Sequence, residues 1–190
     1  MTMPAGLRKL AYTVHVTLSV GWIGAVAAYT ALDVASATSR DAQTLRAAYL
    51  GMDVIARKVI VPLAIASLVT GLVMALGTKW GLFRHWWVLI SLALTIVATA
   101  VLLVETQTIR SFAAVAADPN TSVADLRKLG STLVHSVGGT LVLLVILVLN
   151  VYKPRGVTPY GWRKQQEQRT QREPPAAAAT ARGADRQPFA

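Results

Sequence analysis

Three histidines, the carboxylates of Asp33, Asp53 and Glu105, and the absence of cysteine frame the chemistry open to this chain. His15 and His135 lie inside apolar segments, whereas His85 stands beside Arg84 and Trp86 at a segment boundary. Ionisable groups within a membrane are costly and point first to function. Two membrane imidazoles raise haem b, one nitrogen on each side of the iron. Depth argues against that pairing. His15 falls a third of the way in from one edge and His135 a few residues from the other, a gap on the order of 15 Å at 1.5 Å per residue. A second constellation matches better in depth. Asp33 ends the first apolar segment, Asp53 and Arg57 precede the second, Glu105 ends the third, and His135 begins the fourth. Asp33, Asp53, Glu105 and His135 have the donor types for a zinc or copper ion, or for relaying protons. The same residues equally suit an interhelical hydrogen-bond and ion-pair cluster, the reading that asks least. With no cysteine, thiolate metal sites, disulfides and cysteine nucleophiles are excluded. Gly138-Gly139 sits in an apolar stretch and is no phosphate loop.

The elements that must position these groups are membrane helices. Of the 190 residues, 54% are hydrophobic and only 15% charged, and mean hydropathy is +0.48; soluble domains carry about a quarter charged residues. Four segments, near Leu10–Ala31, Val59–Leu76, Trp86–Val104 and Thr132–Tyr152, suit a hydrocarbon core of about 30 Å. Only Pro62 interrupts them, which predicts a local kink. The first is too long for a signal-peptide core and reads as a retained helix. The fold expected is all-α: a four-helix antiparallel transmembrane bundle, residues 1–156, with helices extended on the outer side and a basic, disordered cytoplasmic tail over 157–190. On the outer side, Asp41–Ile60 has helical spacing with Asp53 one turn from Arg57. Asp118-Pro119-Asn120 reads as a turn, and Ser122 with Asp125 as a capping box leading toward the fourth helix.

Charge sets the expected orientation. With four crossings, both termini and the 2–3 loop share a side, which carries Arg8, Lys9, Lys79, Arg84, Lys153, Arg155 and the tail cations. The opposite side holds six of the nine acidic residues. The positive-inside rule places both termini in the cytoplasm. The net charge of +10 lies at membrane ends and in the tail, so its expected partner is anionic lipid headgroups rather than nucleic acid. Trp80, Trp86, Trp87, Tyr160 and Trp162 form an aromatic belt on that face.

Small and polar residues recur on one face of each later helix: Ser67, Thr70, Gly71, Met74 and Thr78; Ser91, Thr95, Ala98 and Glu105; Ser131, His135, Gly138, Gly139 and Asn150. Such stripes let helices approach closely, and packing outweighs a substrate path as their explanation. The first helix has two, Thr17, Gly21, Gly24, Ala28 and His15, Ser19, Trp22, about 200° apart at about 100° per residue. It is either sandwiched in the bundle or uses one face to form a homodimer.

A string of motifs now stands out: His15 with Ser19-Val20-Gly21-Trp22-Ile23-Gly24, Val61-Pro62-Leu63 with Thr70-Gly71-Leu72, Leu76 through Val88, and His135, Gly138-Gly139 and Val151 through Gly156. Over residues 10–160 this resembles a family of small four-helix integral membrane proteins, common in actinobacteria, whose activity is unassigned. The resemblance implies a bacterial inner (plasma) membrane. Relatives carry lysine where Ser91 stands, so any role of that cation is absent here. The His15 to Gly24 stretch alone also resembles copper-resistance D type membrane proteins. The function expected is a non-enzymatic accessory or small-solute and ion-handling protein. The alternative is a haem- or copper-associated protein using His15 or His135.

Overall fold

The computed structural model describes residues 3–78 and 81–172. Seven α-helices follow in order among them: α1 (Ala5–Thr38), α2 (Ala42–Ile55), α3 (Val61–Gly77), α4 (Trp86–Ala117), α5 (Val123–Lys128), α6 (Leu133–Tyr152) and α7 (Pro159–Arg172). Four rods are long and apolar enough to span a membrane: α1, α2 running into α3, α4, and α6. They form an antiparallel ring. α1 packs between α3 and α6, and α4 closes the opposite side against the same two. α1 thus has a neighbour on two sides, but Thr17, Gly24 and Ala28 of its first small-residue face are exposed, so the sandwich expected for the first helix is only half formed.

The first three rods hold 34, 36 and 32 residues against 20 in α6. At about 1.5 Å per residue, a helix of some 20 residues already crosses the hydrocarbon. The surplus projects at the end away from the termini, here the distal end, as the spacing in Asp41–Ile60 predicts. Burial is tightest there. The largest fully buried side chains are Tyr49, Leu45, Met52, Ile109, Leu126 and Asp33, all in the distal half. Water drives apolar side chains into contact, whereas lipid tails solvate them as well as a neighbouring helix does. Val69, Val97, Leu141 and Val148 on the spans stay exposed for that reason.

Local chemistry accounts for the breaks. Pro62 has no N–H for the carbonyl four residues back, and its ring clashes with that carbonyl. The chain widens into one π-helical turn, Ala56–Ile60, where the Val61 N–H reaches the Ala56 carbonyl. The kink expected at Pro62 is thus an expanded turn just before it. Asp41 caps α2 by accepting from the Thr44 N–H at 2.8 Å. The Asp118 turn forms, with the Thr121 N–H on the Asp118 carbonyl and the Asn120 N–H on the Asp118 side chain. Ser122 caps α5 by accepting from the Asp125 N–H. The run beyond does not continue into the fourth span: Gly130, at φ 86°, turns the chain before α6 starts after Thr132. At its other end α6 stops at Lys153 in the left-handed region (φ 46°), with Pro154 preventing continuation.

The expectation of disorder from residue 157 onward needs correction. Residues 159–172 form α7. Thr158 caps it, accepting from the Gly161 N–H at 3.1 Å and donating to the Phe83 carbonyl, while its own N–H donates to the Arg84 carbonyl at 3.0 Å. Proline and polar composition does not reveal that the tail's first turn has a docking partner on the α3–α4 loop. The rest of the tail, 173–190, and Lys79 and Trp80 lie outside the described residues.

Candidate functional site

The four residues expected to gather at the distal edge are not brought together; they separate into three arrangements. Asp33, fully buried, accepts four hydrogen bonds from the start of α6. Ser131 Oγ (3.0 Å) and the Thr132 N–H (3.2 Å) reach one oxygen, and Thr132 Oγ1 (2.7 Å) and Ser136 Oγ (3.0 Å) the other. Because the Thr132 proton goes to Asp33, Tyr29 must donate to Thr132 Oγ1 at 2.9 Å. The result is a one-way chain, Tyr29 to Thr132 to Asp33. A carboxylate lent by α1 caps α6, and no lone pair is left facing a cavity for a metal. Asp53 pairs with Arg57 through two contacts along its own helix. Glu105 and His135 do meet, Oε1 to Nε2 at 3.5 Å. Among the described residues no group of three or more metal-type side chains assembles. The donor set does not fit a bound zinc or copper ion, and the ion-pair and hydrogen-bond reading of these residues matches the geometry.

His15 stands elsewhere. Its Nδ1 is 3.0 Å from Thr70 Oγ1. Thr70 spends its only proton on the Ala66 and Ser67 carbonyls, so Nδ1 carries the hydrogen and donates, an assignment that follows from the network. Ser19 donates to the His15 carbonyl at 2.8 Å, which makes Ser67 the donor to Ser19, also at 2.8 Å. The second face of α1 is therefore zipped to α3 by side-chain bonds. Its first face, Thr17, Gly24 and Ala28, is exposed; Gly21 alone approaches a neighbour, Leu63.

Two cavities occupy the ring. The proximal one, about 380 Å³, is bounded by all four spans. His15, Ser19, Ser67, Ser91, Thr95 and Asn150 line it along the spans, and Tyr12, Thr78 and Lys153 add polar groups toward its proximal end. The distal one, about 310 Å³, is a groove between α4 and α6 containing Glu105 and His135, with Gly138 and Gly139 on its α6 wall. Trp22 and Leu143, both almost fully buried, line both cavities and form the partition between them. His15 and His135 consequently belong to different cavities, and no single haem would take both imidazoles. The small-residue stripes do more than pack: Ser67, Ser91 and Asn150 line one cavity, and Ala98, His135, Gly138 and Gly139 the other.

His85 caps the backbone start of α4 and pairs with Val157 in an isolated antiparallel bridge. Arg46, overlooked in the sequence, donates to four carbonyls, Ala116, Asp118, Pro119 and Thr121, at the end of α4. Its periodicity shows only an arginine on a polar helix face. Tyr29, four residues before Asp33, is the one missed partner whose spacing points to it. No protein-family model, curated protein or solved structure matches the chain, so the two cavities and their lining chemistry carry the functional reading.

Proposed function

We propose that this is a non-enzymatic, multi-pass protein of the bacterial plasma membrane that handles a small cation, with both termini cytoplasmic. The proximal cavity carries the reading. Several donors along its spans are already committed: Ser19 to the His15 carbonyl, and Thr95 to the Ser91 carbonyl at 2.7 Å. The Asn150 amide likewise donates to the Ile146 carbonyl at 2.7 Å and to Ser91 Oγ at 3.4 Å. What these groups have left for an occupant is oxygen lone pairs, and oxygen acceptors suit a cation or a donor-rich solute. The positive-inside bias and the basic face of α7, with Arg163, Lys164 and Arg169 near Tyr160 and Trp162, support a cytoplasmic proximal end held at anionic headgroups. The motif string over residues 10–160 supports grouping the chain with the small actinobacterial four-helix membrane proteins.

Flux tests the cation reading. Purified protein in liposomes, with pH- and potassium-sensitive dyes inside, should pass protons or potassium faster than empty liposomes. Thr95→Leu and Asn150→Leu, which fill the cavity, should remove the excess. Equal rates with and without protein would defeat the proposal. The absence of native cysteine makes orientation directly measurable. On intact cells an impermeant maleimide should label Ser39→Cys and spare Gln165→Cys; the reverse pattern would invert the topology.

The exposed Thr17, Gly24 and Ala28 face favours a second, compatible element, a homodimer through α1. An added Cβ at Gly24 meets nothing within 4 Å, so Gly24→Leu leaves the protomer intact. It should convert a dimer to a monomer in cross-linking and light scattering; an unchanged mass would reject the α1 interface.

A further inference from the structure

The distal groove has a composition that the cation reading does not use. Its floor is apolar, built from Trp22, Val26 and Ile60, and its α4 wall runs from Leu94 through Val97 and Val101 to Glu105. That wall is twelve residues long, a rise of about 16 Å at about 1.5 Å per residue. Val97, Val101 and Val134 on the rims are exposed, 59%, 45% and 83% respectively. In a bilayer the groove therefore opens sideways to lipid chains. Added Cβ atoms at Gly138 and Gly139 would meet nothing within 4 Å; these glycines leave space along the α6 wall rather than seating a neighbouring helix.

Only one end of the groove is polar. Glu105 and His135 stand there at 3.5 Å, wider than the roughly 2.7–2.9 Å of a closed charge-assisted hydrogen bond. With a proton on Nε2, His135 donates and the Glu105 carboxylate accepts, so the pair offers one donor and one acceptor. A hydroxyl is the smallest group that answers both, accepting from one partner and donating to the other. A carboxylate or phosphate head would satisfy the donor and confront Glu105 with a second acceptor.

We propose that the α4–α6 groove is a binding site for a neutral, single-chain membrane lipophile ending in a hydroxyl. Its chain lies along Leu94–Val101 and Gly138–Val142, and its head sits between Glu105 and His135. The site is separate from the proximal cavity, so either proposal can fail without the other.

The test is photo-labelling of the full-length protein in nanodiscs with a diazirine-bearing fatty alcohol, its methyl ether and the corresponding fatty acid. The alcohol should label α4 and α6 groove peptides about tenfold more than the ether, the worth of one hydrogen bond to a charged group. Glu105→Ala should erase that preference while chain labelling persists. Gly139→Leu should abolish groove labelling without lowering thermal stability, because its side chain enters open space. Equal labelling by alcohol and ether would reduce the groove to ordinary lipid contact and overturn the proposal. Preference for the fatty acid would overturn it as well, by showing that the head is an anion. Labelling that survives Gly139→Leu would place the lipophile elsewhere and also reject it.

Discussion

Asp33 shows how one side chain replaces a missing local cap. The N-terminus of α6 has orphan N–H groups and a partial positive charge, and the carboxylate that meets them comes from α1, about a hundred residues away in the chain. Asp33→Ala leaves at least two donors unmet at about 1–3 kcal/mol each, so a loss of roughly 3 kcal/mol is expected in a denaturant titration monitored in detergent. Thr132→Val should cost less, since the Thr132 N–H and both serines still reach Asp33. Equal losses would mean that the Tyr29–Thr132–Asp33 chain acts as a single unit. Asp41 makes a pH prediction outside the spans. The Thr44 backbone N–H and then its hydroxyl hold the Asp41 carboxyl below the usual carboxylate range. A depressed acid stabilises above its unfolded value and loses that contribution as pH falls through the folded one. Hydrogen exchange at the Thr44 amide should therefore stay protected through mildly acidic pH and rise only below the ordinary carboxylate range.

At the scale of elements, the distal projection is held by Arg46 as much as by its apolar cluster. One guanidinium serves four carbonyls around the α4–α5 turn, a role its planar fork of five donors suits and a lysine's point charge does not. Arg46→Lys should consequently behave more like Arg46→Met than like wild type, with faster amide exchange over residues 116–122 and a lower melting temperature. At the opposite end, Thr158→Ala removes both the cap of α7 and the bond to the Phe83 carbonyl. Limited proteolysis should then cut within Pro159–Arg172 while the four spans stay intact. Cleavage at the wild-type rate would show that α7 is anchored by other contacts.

For the whole molecule, the partition between the two cavities is the feature on which permeation would depend. Among the described residues, Trp22 and Leu143 alone line both cavities. Trp22→Ala deletes the larger of them and should join the two spaces. In the liposome assay this variant should pass cations severalfold faster than wild type, with Thr95→Leu reversing the effect. If Trp22→Ala lowers stability and leaves flux unchanged, the partition is packing and not a barrier.

The chain's own residues determine the class of structure. Long apolar runs must become helices because lipid offers no partner for an open backbone, and even the distal extensions follow from the spacing in Asp41–Ile60 and the Asp118 and Ser122 signals. Periodicity also places Ser67, Thr70 and His15 on inward faces. It cannot rank pairings among groups at similar depth. Asp33, Asp53, Glu105 and His135 look interchangeable along the sequence, yet rotation about each helix axis sorts them into three separate arrangements. The same rotation turns the Thr17–Gly24–Ala28 face outward and divides the interior at Trp22. Depth along a helix is set by residue number, about 1.5 Å at a time, whereas azimuth and neighbour are set by how four helices pack. The tertiary structure therefore decided which polar groups satisfy one another and which are left facing the two cavities.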